Sequence, residues 1–103
     1  MSEFKGSKGE WKLAFAEENK LAIRTSQGIL MKFWKPNKYP GQYERYESEL
    51  QETKANQILC SKAPEMLQML NKCADYFLNI PNNIQAEENA EAILQLIKEC
   101  TEL

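Results

Sequence analysis

The chain has 103 residues, with 13 Lys and Arg, 15 Asp and Glu, no His, and a net charge of −2. This length and an apolar share of 43% fit one globular domain and argue against a disordered, collagen-like or disulfide-built chain. The missing histidine excludes a Ser-His-Asp triad, a Cys-His pair and a zinc site of two cysteines and two histidines.

Residues 1–9 are polar and carry two glycines, so a flexible lead-in is expected there. A single α+β domain is expected over 10–103, with a sheet at 10–35, a loop at 36–42 and helices at 44–103. Trp11, Leu13 and Phe15 alternate with Lys12, Ala14 and Ala16, which predicts a strand with the first set buried. Glu17-Glu18-Asn19 offers a turn, after which Leu21, Ile23 and Thr25 resume the alternation. Ser26-Gln27-Gly28 is a second turn signal. Beyond it Ile29, Met31 and Phe33 face one way, and Leu30, Lys32 and Trp34 the other. Three strands with short connections predict an antiparallel meander.

Pro36 and Pro40 close the sheet, because proline cannot donate to a central ladder. From Glu44 to Ser61 no Pro or Gly occurs, and a helix is expected with Leu50, Ile58 and Leu59 sharing a face with Tyr46 or Tyr43. Its start is open between Glu44 and Ser48. Pro64 suits the first turn of a second helix, whose stripe is Met66, Leu67, Leu70, Cys73, Ala74, Phe77 and Leu78. Asn79 to Asn83 breaks it. Asn82 or Asn83 can cap a third helix, with Gln85 at capping-box distance from Asn82. Ala86, Ala90, Ile93, Leu94, Ile97 and Cys100 form its stripe. The last two helices are expected as an antiparallel hairpin. Strands first and helices afterwards imply an α+β fold.

Cys60, Cys73 and Cys100 lack metal-ligand spacing and fall on these stripes, so reduced, buried, structural thiols are expected. Glu44, Glu47, Glu49 and Glu52, then Glu87, Glu88 and Glu91, are expected on solvated helix faces. No catalytic residue, metal ligand or cofactor motif is identified.

Charge is uneven. Residues 1–42 hold eight basic and four acidic side chains, net +4, and the remainder is net −6. The run from Lys32 to Tyr39 interleaves cations with rings, and Tyr43, Arg45 and Tyr46 continue it. Lys32, Trp34, Lys35, Lys38, Tyr39, Tyr43 and Arg45 are therefore the candidate ligand-binding residues: rings for stacking a base, cations for phosphate. The negative overall charge disfavours duplex nucleic acid and favours a free nucleotide or an acidic protein surface. A small sheet with two edges is expected to pair into a homodimer or higher oligomer.

Residues 55–70, ANQILCSKAPEMLQML, resemble the "ANAxLIAAAPELLEAL" segment of many small phage and prophage proteins of unassigned function. Gly9-Glu10-Trp11 stands where those proteins often carry a Trp-containing motif before a short sheet. Gln57, Cys60 and Lys62 occupy positions where the pattern prefers small or aliphatic residues. The segment itself reads as an αα corner, with Pro64 opening the second helix and Asn56 able to bond the corner backbone.

The resemblance implies a phage origin and carries no active site. With no catalytic groups in hand, the expectation is a non-enzymatic accessory protein in the host cytosol. It would counter host defence by binding a nucleotide immune signal or a host protein. A protein-interaction module without a small ligand is the second reading. A transcription regulator comes last, since the long helices are acidic and offer no basic recognition helix. No run of residues approaches the ~18 apolar positions of a membrane span, so no membrane partner is expected.

Overall fold

The computed structural model describes residues 3–102. It is an α+β fold: a three-stranded antiparallel sheet followed by three helices. The elements are β1 (Lys12–Glu17), β2 (Lys20–Thr25), β3 (Gly28–Trp34), α1 (Tyr43–Ser61), α2 (Ala63–Leu78) and α3 (Ile84–Thr101). Met1, Ser2 and Leu103 lie outside the described residues, and residues 3–9 of the expected lead-in hold neither helix nor strand. The contacts cluster into two compact units, one of Lys8–Pro64 and one built on the residues from Glu65 onward with the N-terminal lead-in.

In the first unit the strands run in the order β1-β2-β3, so β2 is central and β1 and β3 are edges. Cross-strand partners share a face. Leu13, Ile23 and Met31 lie in one row and Phe15, Leu21 and Phe33 in the next, while Ala14, Ala22 and Lys32 point to the opposite side. Helix α1 lies against the sheet. In the central strand Leu21, Ala22 and Ile23 are almost wholly buried, so both faces of β2 are covered.

The edge strand departs from expectation. Leu13 and Phe15 are 52% and 77% exposed, whereas Ala14 and Ala16 are half-buried. The alternation in β1 is real, but on this edge strand it is the alanines that are covered and the large side chains that are exposed. Trp11 precedes the strand and is partly exposed. In β3, Ile23 pairs with Met31 and Arg24 with Ile29, leaving Leu30 as a bulge. The extra residue moves Ile29 opposite Arg24, off the face it was expected to share with Met31 and Phe33, and leaves it 46% exposed.

Helix α1 begins one residue before Glu44, at Tyr43; its two fully buried residues are polar, beside half-buried Tyr46, Leu50 and Cys60. Gln57 and Ser61 are buried and Thr53 half-buried, while Ile58 and Leu59, expected inside, are 50% and 62% exposed. The hydroxyls satisfy themselves on their own helix: Thr53 Oγ1 donates to the Glu49 carbonyl and Ser61 Oγ to that of Ile58. Gln57 does something else. Its Nε2 donates to the Ala22 carbonyl at 2.8 Å and to the Ala14 carbonyl at 3.2 Å. Ala14 and Ala22 are partners across β1 and β2. One nitrogen reaches both oxygens only if both carbonyls lie between the two strands. Successive residues of a strand send their backbone groups to opposite sides, so Leu13 and Phe15 turn theirs to the open edge. Asn56 is exposed and bonds no corner backbone; the end of α1 is closed instead by the Lys62 N–H on the Leu59 carbonyl.

The second unit contains α2 and α3, joined by Asn79–Asn83. Ala74, Ala86, Ala90, Ile97 and Thr101 are buried, while Met66 and Leu78 on the expected α2 stripe are 42% and 59% exposed. Asn83 caps α3, its side chain accepting from the Ala86 N–H at 3.0 Å. Asn82 cannot share the task, because it holds the left-handed conformation at φ 56°. The capping box with Gln85 is accordingly absent, and Gln85 donates to Asn89 instead. The cysteines also differ from expectation: Cys60 and Cys73 are partly covered, and Cys100 is exposed. Ile97 and Thr101 define the buried line at this end of α3, and Cys100 falls beside it.

Candidate functional site

The basic-aromatic stretch is divided between two places in the first unit. At the end of the sheet stand Lys32, Trp34 and Lys35. Lys32 Nζ is 3.3 Å from Glu17 Oε1, and Lys20 Nζ is 3.1 Å from Glu17 Oε2. Lys20 also lies 4.0 Å from the centroid of the Trp34 ring, which is 67% exposed. Lys35 donates its ammonium to the Glu18 carbonyl at 3.0 Å, and that ammonium lies 5.7 Å from the Phe15 ring. Each cation here already has a partner, and Glu17 neutralises two of them. Hydrogen bonds from Lys20 and then Lys32 hold the Glu17 carboxyl below the usual carboxylate range.

The second place follows the loop. Tyr39-Pro40-Gly41-Gln42 is a β-turn closed by the Gln42 N–H on the Tyr39 carbonyl at 3.1 Å. Pro40 fits the second position and Gly41, at φ 77°, takes the third, the left-handed position that a type II turn reserves for glycine. The Gln42 carbonyl then accepts the first helical bond, from Tyr46. Turn and helix start thereby bring Tyr39 next to Tyr43, Tyr46 and Glu47, which α1 places one turn apart on one flank.

These residues, with Lys38 and Gly41, line an open pocket of about 510 Å³, within the range of small-molecule sites. Lys38 Nζ sits 5.1 Å from the Tyr46 ring centroid. Asn37 Nδ2 donates to the Tyr39 hydroxyl. Glu47 is half-buried and has no ion pair or hydrogen bond among the described residues. Arg45 does not line the pocket. It donates to Glu49 Oε1 at 2.9 Å and to Gln42 Oε1 at 3.3 Å, and the bond to Glu49 holds its guanidinium more firmly protonated.

Of the seven candidate residues, the structure therefore gathers Lys38, Tyr39 and Tyr43 and leaves Lys32, Trp34, Lys35 and Arg45 engaged elsewhere. Tyr46 and Glu47 complete the pocket. Glu47 was read only as part of a solvated face; its signal was the four-residue spacing from Tyr43, which puts carboxylate and ring on the same flank. Among the described residues no three Cys, Asp or Glu side chains are grouped to hold a metal ion, and no helix is long and apolar enough to cross a membrane. No protein-family model, curated protein or solved structure matches the chain.

Proposed function

We propose that the chain is a non-enzymatic binding protein that holds a nucleotide in the pocket lined by Tyr39, Tyr43 and Tyr46. The observation that carries this reading is the composition of the pocket: three tyrosine rings, one lysine and one carboxylate without a partner, around about 510 Å³ of open space. Tyrosine faces stack a base. The Lys38 ammonium meets phosphate as a point charge. Glu47, when ionised, only accepts hydrogen bonds. It therefore favours a base edge that presents adjacent N–H donors, as guanine does with its ring N–H and exocyclic amino group.

One lysine balances one negative charge. That fits a cyclic nucleotide, with a single charge on each phosphate, better than a di- or triphosphate. The phage-like segment at 55–70 supplies the setting for such a binder: an accessory protein of phage type that counters host defence by sequestering a nucleotide signal.

Calorimetric titration with 3′,5′-cyclic GMP and 3′,5′-cyclic AMP tests the reading. Saturable binding is expected, tighter for the guanine compound. Tyr43→Ala removes a ring that is 73% exposed, so it leaves the fold intact and weakens binding roughly 5- to 150-fold, the worth of one stacking contact. Trp34→Ala, outside the pocket, leaves binding unchanged. Absence of binding by either compound, or equal loss in both variants, overturns the reading.

A further inference from the structure

We infer that β1 is the contact through which two copies of this chain join their sheets into one, antiparallel and centred on Ala14. Several observations bear on this edge, all of them separate from the tyrosine pocket. Strand β1 ends the sheet, and nothing among the described residues pairs with its outer side. The Gln57 bridge fixes the backbone of Ala14 toward β2, so the amide and carbonyl groups of Leu13 and Phe15 face outward. Their side chains are 52% and 77% exposed. A further groove of about 290 Å³ runs beside them, lined by Leu13, Phe15, Leu21, Lys54, Gln57 and Ile58. An open edge carrying large apolar side chains is a template for another strand.

The strand is complementary to itself. In an antiparallel pairing with Ala14 opposite Ala14, Leu13 of each copy faces Phe15 of the other. That register exchanges the outward backbone bonds of these residues and continues the apolar face formed by Leu21, Ile23, Met31 and Phe33. On the opposite side, the register shift between Phe15 and Glu17 brings Glu17 onto the face of Ala14, where it pairs with Lys20. Lys12 of each copy then lies toward Glu17 of the other. Ends of opposite charge flanking an apolar middle match in this direction and mismatch in the parallel one. The symmetry is that of a closed two-fold dimer, which leaves β3 as the outer edge of a six-stranded sheet.

Sedimentation and a cysteine cross-link test both the contact and its register. The wild-type chain is expected to sediment at about twice its 12.0 kDa mass. Leu13→Lys places a charge on the half-exposed edge, keeps the circular dichroism spectrum and weakens the dimer more than tenfold. Residues at a non-hydrogen-bonded antiparallel position have Cα atoms ~4.5 Å apart, within disulfide reach. Ala14→Cys together with Cys100→Ser is therefore expected to form a covalent dimer on mild oxidation, while Cys100→Ser alone does not. A monomeric wild-type chain at high micromolar concentration overturns the inference and leaves β1 free for an extended peptide of another protein. A dimer indifferent to Leu13→Lys overturns it too, and one sensitive to Leu13→Lys without the cross-link overturns the register.

Discussion

Gln57 is the residue whose replacement tests the architecture most sharply. Its side chain is 6% exposed and its amide nitrogen ties α1 to two strands at once, at 2.8 Å and 3.2 Å. Gln57→Met keeps the length of the side chain and removes both donations. Each carbonyl retains its place between β1 and β2, so neither becomes an orphan, and the loss is two ordinary hydrogen bonds at about 1 kcal/mol each. About 2 kcal/mol corresponds to a fall in Tm of about 8–15 °C for a domain of this size. Gln57→Glu is worse at neutral pH, because it turns a buried carboxylate toward two carbonyl oxygens. An uncompensated buried charge costs about 3–5 kcal/mol. Burial raises the pKa of that carboxyl in the folded state, so its penalty is full above the folded pKa and shrinks as pH falls through it. Thermal and urea unfolding followed by circular dichroism measure all three chains. A Met variant within ~0.5 kcal/mol of wild type, or a Glu variant no worse than Met at neutral pH, would refute the assigned bridge.

Two further outcomes follow from local geometry. Asn83→Ala removes the acceptor for the Ala86 N–H and is expected to cost about 1 kcal/mol, whereas Asn82→Ala strains a left-handed residue; a neutral Asn83→Ala in urea unfolding would reject the cap. Glu17, held below the usual carboxylate range by Lys20 and Lys32, contributes stability that is present above its unfolded pKa and lost as pH falls through the folded one. Glu17→Gln is therefore expected to lower Tm slightly near neutral pH, the difference shrinking as pH falls through the folded pKa of Glu17; a difference that persists in strong acid would contradict the pairing.

The order of elements was legible because it rests on punctuation and period. Ser26-Gln27-Gly28 turned β2 into β3, Pro36 and Pro40 stopped the sheet, and Asn79–Asn83 separated α2 from α3. Burial was less legible, since it depends on what covers each face. The pattern in β1 could not reveal that this edge strand leaves Leu13 and Phe15 exposed. The apolar pair Ile58 and Leu59 suggested an inner face for α1, yet the helix buries Gln57 and Ser61 and half-buries Thr53. Those residues tolerate burial because each hydroxyl or amide finds a carbonyl. For the site, composition singled out the stretch from Lys32 to Tyr46 and could not divide it. Only the fold shows that Glu17 draws Lys32 away and Glu49 draws Arg45, while the turn at Pro40-Gly41 gathers the tyrosines.

The central claim is that the tyrosine pocket holds a nucleotide, and the most direct test is the thermal midpoint of the chain alone and with a panel of cyclic mono- and oligonucleotides. A compound present at about 100 times its Kd stabilises the folded chain by about 2.7 kcal/mol, a rise of roughly 10–20 °C for a domain of this size. The account predicts such a rise with a guanine-containing compound, and its loss in Tyr43→Ala. A flat panel, with the wild-type midpoint unmoved by every compound, would contradict it.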